Sequence, residues 1–313
     1  MTQSNPFHSG ELTAQERAGE REAARRNRGA ITATIMTGAL RFIKQQPMVL
    51  FGSRDERGAM WASLVFGRPG FLSSTDGTRL EVDLSQAHVD PNDPVWANVE
   101  NDHRLGALVI ETGTRRRIRV NGFIEFEPGR CLSIQVDESY PACPKYITRR
   151  QVRFLPDPAP AFAQPDLSSS GGLGDGPLAA VRSADAIFVA TESPERGYDV
   201  SHRGGLPGFV KVIDPHTIRW PEFPGNSMFN TLGNLLHDPN AGVVIPDFIR
   251  NRVVQVTGQA VALWDQPDPG NETAGTRRFV EFTIEQWKER DLPSNLSSEF
   301  LDYSPFNPSV LGA

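Results

Sequence analysis

The chain of 313 residues states one pattern twice. Residues 51–71 read FGSRDERGAMWASLVFGRPGF and residues 188–209 read FVATESPERGYDVSHRGGLPGF. With one residue inserted, Phe51, Ser63, Gly67, Pro69, Gly70 and Phe71 fall on Phe188, Ser201, Gly205, Pro207, Gly208 and Phe209. Further on, Asn98, Gly106, Val120 and Gly122 fall on Asn234, Gly242, Val256 and Gly258. A period of about 137 residues is far too long for a solenoid unit and predicts a duplicated domain. The copies differ at their centre, where Leu64 and Val65 become His202 and Arg203. That asymmetry directs the search for a site to the second copy.

Composition narrows the class. A formal net charge of -6 argues against a chain-wide nucleic-acid footprint, so no nucleic-acid partner is expected. Arg115, Arg116 and Arg117, like Arg25 and Arg26, read as solvated turn and helix surface. No stretch approaches the ~20 apolar residues of a membrane span, and the N-terminus lacks a signal-peptide core. The expectation is therefore a cytoplasmic protein with no membrane partner. Cys131 and Cys143 are the only cysteines, too few for a disulfide framework or a four-cysteine cluster. The six histidines lack zinc-type spacing, and no metal is expected.

Residues 11–27, rich in Ala, Glu, Gln and Arg, read as a surface helix stopped by Gly29, and 38–46 as a second. Short β runs follow at 48–51, 61–66, 70–73, 107–111 and 118–127, punctuated by Gly, Pro, Asp and Asn. That pattern favours an antiparallel, barrel-like sheet over βαβ units. Residues 155–177 carry Pro156, Pro158, Pro160 and Pro165 and then Ser168 to Gly172, the composition of a linker. The expected domains are 1–154, a helical segment plus a first barrel whose site is degenerate, and 178–313, a second barrel that holds the site. Second-copy strands are expected at 186–191, 200–202, 209–213, 242–245 and 253–263. A short helix is expected over 228–237, and 282–295 reads as helical around Trp287.

Three segments of the second copy concentrate polar and aromatic groups: DVSHRGG from Asp199, WPEFPGNSMFNT from Trp220, and NLLHDP from Asn234. A planar, phosphorylated cofactor needs this mixture. Apolar rings wall its ring system, amides read its heteroatom edge, and a cation offsets its phosphate. A helix beginning near Asn226 to Asn230 adds oriented N–H donors for an anion. Ser201 beside His202 does not make a hydrolase pair, because neighbours on a strand face opposite ways. The glycines shared by both copies, Gly67, Gly70, Gly205 and Gly208, mark a common turn.

The strings SHRGGLPGFVKV and RWPEFPGNSMFNTLGNLLHDPNAGVV resemble the FMN-binding split-barrel superfamily related to pyridoxamine 5′-phosphate oxidase. HSGE from His8, the first-copy GxPGF, and YPACPKYI from Tyr140 resemble motifs of a bacterial subgroup within it. The resemblance covers nearly the whole chain outside the linker and the extreme C-terminus. It implies a mainly β fold with flanking helices: two tandem six-stranded split β-barrels forming an intramolecular pseudo-dimer, with FMN at an interface between barrels. It implies cofactor-binding roles for Ser201, His202 and Arg203 on a strand and for Asn226, Met228, Phe229, Asn230 and Thr231 at the following loop and helix start. Trp220 would shape the pocket, Lys211 would be a weaker phosphate counterion, and Lys145 and Tyr146 of the first copy would supply one wall. The Arg/Lys-rich pattern of true pyridoxamine phosphate oxidases is absent, so pyridoxal formation does not follow.

The expectation is an FMN-dependent oxidoreductase with one flavin per chain. Its partners would be a small-molecule substrate and a separate electron donor such as NAD(P)H, and the chain could form a homodimer. No general acid stands out; His202 is the nearest candidate. The alternatives are a non-catalytic flavin- or haem-binding carrier or sensor, and a degenerate scaffold that only dimerises.

Overall fold

A computed structural model describes residues 5–155 and 166–308. The chain opens with α1 (Ser9–Arg17) and α2 (Arg21–Asn27), where one helix was expected; Gly19, at φ +69°, makes the break. After α3 (Thr37–Lys44) come β1 (Met48–Arg54), β2 (Met60–Gly67), β3 (Leu72–Ser73), β4 (Arg79–Asp83) and β5 (Ala87–His88). Then α4 (Pro94–Asn101) precedes β6 (Arg104–Glu111), β7 (Arg116–Glu127), β8 (Cys131–Pro141) and β9 (Arg149–Phe154).

The second half starts inside the expected linker. Residues 156–165 lie outside the described residues, but β10 (Leu167–Ser170) pairs with a barrel strand and α5 (Asp175–Ser183) follows at once. Then come β11 (Ala186–Ser193), β12 (Gly197–Gly204), β13 (Lys211–Asp214), β14 (Thr217–Pro221) and α6 (Asn230–His237). The chain ends on β15 (Asn240–Asp247), β16 (Arg252–Leu263), β17 (Phe279–Asp291) and β18 (Leu296–Asp302). The helix expected over 282–295 is instead most of β17. Val280, Phe282 and Ile284 alternate into the core there, and that period of two prevails over the polar residues between them.

The two sheets share one strand order. The first runs β3-β4-β8-β7-β6-β1-β2-β5, and the second runs β13-β14-β17-β16-β15-β11-β12. Both carry a register shift at the same repeat position, at Asn121/Gly122 and at Thr257/Gly258, which bends the longest strands. These are two split barrels in tandem, mainly β with flanking helices. Each closes on its own apolar core, one around Phe51, Leu80 and Ile134, the other around Trp220, Phe282 and Val243. The shared GxPGF motif has a direct cause: the rings of Phe71 and Phe209 lie on Gly67 and Gly205, where a Cβ would sit 2.5 Å from ring carbon.

A third apolar cluster joins the barrels face to face, with Leu50, Leu64 and Leu108 against Phe188, Val200 and Val244. This interface corrects the repeat alignment. Leu50 pairs with Leu108 and Leu64 just as Phe188 pairs with Val244 and His202, so Phe188 is the counterpart of Leu50 and not of Phe51. A one-residue slip moves a strand residue to the opposite face. Phe51 accordingly fills a barrel core while Phe188 lies between barrels. A two-stranded sheet of β9 and β18 also ties the two halves together. No helix among the described residues is long and apolar enough to cross a membrane.

Candidate functional site

A cavity of about 130 Å³ opens where the second barrel meets the first. β12 lines it with Ser201, His202 and Arg203, and the segment from β14 into α6 adds Glu222, Phe223, Asn226, Phe229, Asn230 and Thr231. The facing wall belongs to the first barrel: Arg117 and Arg119 from β7, Tyr140 from β8, and Cys143, Lys145 and Tyr146 beyond it. Tyr146 adopts φ +67°, and its hydroxyl donates to the Pro224 carbonyl at 3.0 Å, linking the two walls.

The cations around the cavity are balanced unequally. Arg203 Nε donates to Glu222 Oε1 at 2.6 Å, and the Trp220 indole donates to the same oxygen. Arg278 pairs with Glu20 at 2.9 Å and lies over the Phe229 ring. Arg119 donates to Tyr140 Oη, Ser201 Oγ and the Val200 carbonyl, 3.5 Å from Asp199. Burial opposes the Arg119 charge, yet Asp199 and Tyr140 hold its pKa above the ordinary arginine value.

Arg117 differs from these three. Its guanidinium meets the carbonyls of Cys143 and His202, and no carboxylate pairs with it among the described residues. Burial lowers its pKa to about 9. Burial, then Arg117 and Arg203, push the His202 imidazole well below its usual value, so the ring is neutral.

Helix α6 begins without a cap. Phe229 holds the N-cap position in left-handed backbone, at φ +65°, and no side chain accepts from the first turn. The first amides of a helix normally find an acceptor, so an uncapped start on a cavity wall is an anion site in waiting. Four polar atoms of cavity-lining side chains are sealed from solvent without a partner: Arg117 Nε, His202 Nδ1, Thr231 Oγ1 and Arg278 Nε. Buried polar atoms are nearly always paired, so the walls of this cavity hold more unsatisfied polar groups than a closed core does.

The N-terminal helices brace this site. Glu11 accepts from Asn230 Nδ2, Gln15 donates to the Met228 carbonyl, Glu20 accepts from Ser227 Oγ, and Asn27 donates to the Asn226 carbonyl. The strap thus tracks the pocket loop in antiparallel order. Its own start is a capping box of His8 and Glu11, and Gly10 meets Gly233 where α1 crosses α6.

The pseudo-equivalent site in the first barrel is closed. Gln255 stands where the open cavity has Arg119, and it donates to the Ala62 carbonyl and Ser63 Oγ as Arg119 does to Val200 and Ser201. Asp93 stands at the Phe229 position, caps α4 through the Val95 amide at 3.0 Å, and accepts from Ser63 Oγ at 2.5 Å. Arg290 fills the remaining space, bound to Asp90, Asp93 and Gln255. About 10 Å³ is left there.

Of the residues expected from sequence, Ser201, His202, Arg203, Asn226, Phe229, Asn230, Thr231, Lys145 and Tyr146 line one cavity. Three do not. Trp220 is wholly buried in the barrel core, Met228 is buried under the N-terminal helices, and Lys211 is exposed and pairs with Glu272 at 3.5 Å. The sequence reading missed Arg117, Arg119, Tyr140, Glu20 and Arg278. Arg117, expected on the solvated surface, lines the cavity, and Arg115, expected there too, binds the Ile147 carbonyl and Asp302. Of the three arginines in the run, only Arg116 is exposed. The period-two alternation of β7, which turns Arg117 and Arg119 to one face, was the available signal.

No family model and no curated protein matches the chain. Solved structures do. A Lactobacillus delbrueckii protein, provisionally named a pyridoxamine 5′-phosphate oxidase, is 16% identical, with TM-score 0.30, over 37% of this chain and 93% of its own. A FAD-binding protein of Mesorhizobium loti is 13% identical, with TM-score 0.28, over 40% and 96%. The FAD-binding protein of Mycobacterium smegmatis is 12% identical, with TM-score 0.27, over 39% and 98%.

Proposed function

We propose that this protein binds one FMN per chain in the inter-barrel cavity and uses it as an oxidoreductase on a small-molecule substrate, with electrons from a separate donor. The observation that carries this is the uncapped start of α6 on the wall of a cavity that also holds Arg117, a cation with no carboxylate partner among the described residues. The α6 amides and Thr231 Oγ1 would donate to the FMN phosphate. Arg117 supplies a cation that no carboxylate among the described residues neutralises, and Arg203 is already engaged by Glu222. His202, neutral, can offer Nδ1 to a donor, or N–H to an acceptor in the other tautomer. Phe223, Phe229 and Tyr146 provide the apolar wall. A bound flavin would supply hydride and single-electron chemistry, and the protein would orient it and exclude water. A cytoplasmic location belongs to the same reading.

Titration of ligand-free protein with FMN, FAD and riboflavin, followed by flavin fluorescence, tests the proposal. FMN is expected to bind tightest. Arg117→Met should weaken it by about tenfold or more, the scale of one lost charge-assisted contact. Val253 lines the closed site at the position equivalent to Arg117, and Val253→Met should leave affinity unchanged. No binding of any flavin, or equal losses from both variants, overturns the reading. A flavin that binds but accepts electrons from neither NADH nor NADPH would favour a carrier or sensor.

A further inference from the structure

Behind the α6 start lies a second, smaller chamber of about 10 Å³, room for roughly one water. Glu11 of α1, Glu138 of β8 and Asp199 of β12 line it, with Asn121 of β7 and Asn234 of α6. Asn230 lines both this chamber and the main cavity. Acceptors outnumber donors here. Asp199 Oδ1 and Asn121 Oδ1 are sealed without a partner, while Asp199 Oδ2 takes Asn234 Nδ2 at 3.3 Å. Glu11 already accepts from the His8 amide and from Asn230. A water or a protonated carboxyl can supply the hydrogen that the two sealed oxygens lack.

We propose that this chamber is a proton-binding site, built from Glu11, Glu138 and Asp199, that takes up a proton when negative charge enters the main cavity and releases it when that charge leaves. The inference rests on the flavin reading for the identity of that charge. A hydride equivalent delivered into the main cavity would add one negative charge, and one proton drawn from solvent into the chamber would offset it.

The surroundings favour a proton here. Three carboxyls face Arg119, with Arg203 beyond it, and Arg196 sits at the exposed rim; Asp137 adds further negative charge from β8. Burial raises Glu11 to about 8 and Glu138 to about 7, and it raises Asp199 as well. His8, at the start of α1, is driven down to about 4 by burial and adds no charge, and burial keeps the Tyr140 phenol protonated. Arg119 connects the two spaces, holding Asp199 on one side and Ser201 of the main cavity on the other. Charge arriving in one space is therefore felt in the other by linkage.

Calorimetric titration of ligand-free protein with FMN near neutral pH, in buffers of different ionisation enthalpy, counts the protons exchanged. Wild type should take up roughly half a proton more per FMN than Glu138→Gln, and more than Glu11→Gln. The ligand phosphate contributes equally in all three and cancels in the difference. FMN binding with the same proton count in wild type and both variants overturns the proposal. If FMN fails to bind, the functional reading falls, and infrared spectra of the ligand-free protein decide the chamber alone. A protonated-carboxyl C=O band present at about pH 6, lost by about pH 9 and weakened in Glu138→Gln supports it; absence of that band at the lower pH overturns it.

Discussion

Arg117 and Arg203 stand on the same cavity wall and differ in what balances them. Arg203 carries the motif signal, yet Glu222 takes its charge at 2.6 Å. Arg117 meets carbonyl oxygens and, among the described residues, no carboxylate, so its charge is left for a ligand, as is that of Lys145 at the same cavity. A buried arginine that gains an anion recovers what burial cost it, which is why its substitution should matter more than that of Arg203. His202 next to them is neutral because burial and both arginines oppose its protonation. It cannot serve as an acid near neutral pH. The pH dependence of FMN affinity from about pH 5.5 to 8 should therefore keep its shape in His202→Asn, even if overall affinity falls. A step near the ordinary histidine value that this variant abolishes would contradict the assignment.

The elements that shape the cavity come from three separated stretches of chain: the strap of α1 and α2, the β7–β8 hairpin, and β12 with α6. Gly10 and Gly233 allow α1 to cross α6 closely, since a Cβ on Gly10 would lie 2.2 Å from the Gly233 carbonyl oxygen. Gly10→Ala must push the strap off the helix whose uncapped start lines the cavity. We expect a loss of stability of about 1–3 kcal/mol, the usual range for overpacking, together with weaker FMN binding. Denaturant unfolding alongside the flavin titration checks this, and unchanged affinity would show that the strap does not brace the site.

Much of the second-barrel wall was legible because it is local: β12 and the loop into α6 lie in continuous polar motifs that the first copy lacks. Arg117, Arg119 and Glu20 were not, because their roles arise from the docking of one barrel and the strap on the other. Composition alone marks a run of arginines as surface. Trp220 shows the reverse error, since its motif is real but its side chain points into the barrel core.

At the scale of the molecule, the two barrels pack as a twofold pair with one cavity open and its counterpart closed. Gly106 lies against Tyr198 and Asp199, and its counterpart Gly242 lies against Met60 and Trp61, in the isologous manner of a symmetric dimer. The symmetry fails where charge was placed. In the closed site Asp90 and Asp93 are both ion-paired to Arg290, whereas the open site keeps carboxyls buried behind its wall. That difference makes stability depend on pH in a definite direction. Glu11, raised to about 8, and Glu138, raised to about 7, bind protons in the folded chain at pH values where the unfolded chain has released them. Their contribution is full below the ordinary glutamate range and is lost as pH climbs through those folded values. The lowered pKa of His8 acts in the other direction, but only below about its ordinary 6.5. Above that point the carboxyls act without this opposition, so the melting temperature of ligand-free protein should fall between about pH 6.5 and 9. Glu11→Gln, which cannot ionise, should flatten the decline. A melting temperature that rises over that interval, or an equal decline in the variant, would place the proton elsewhere in the fold.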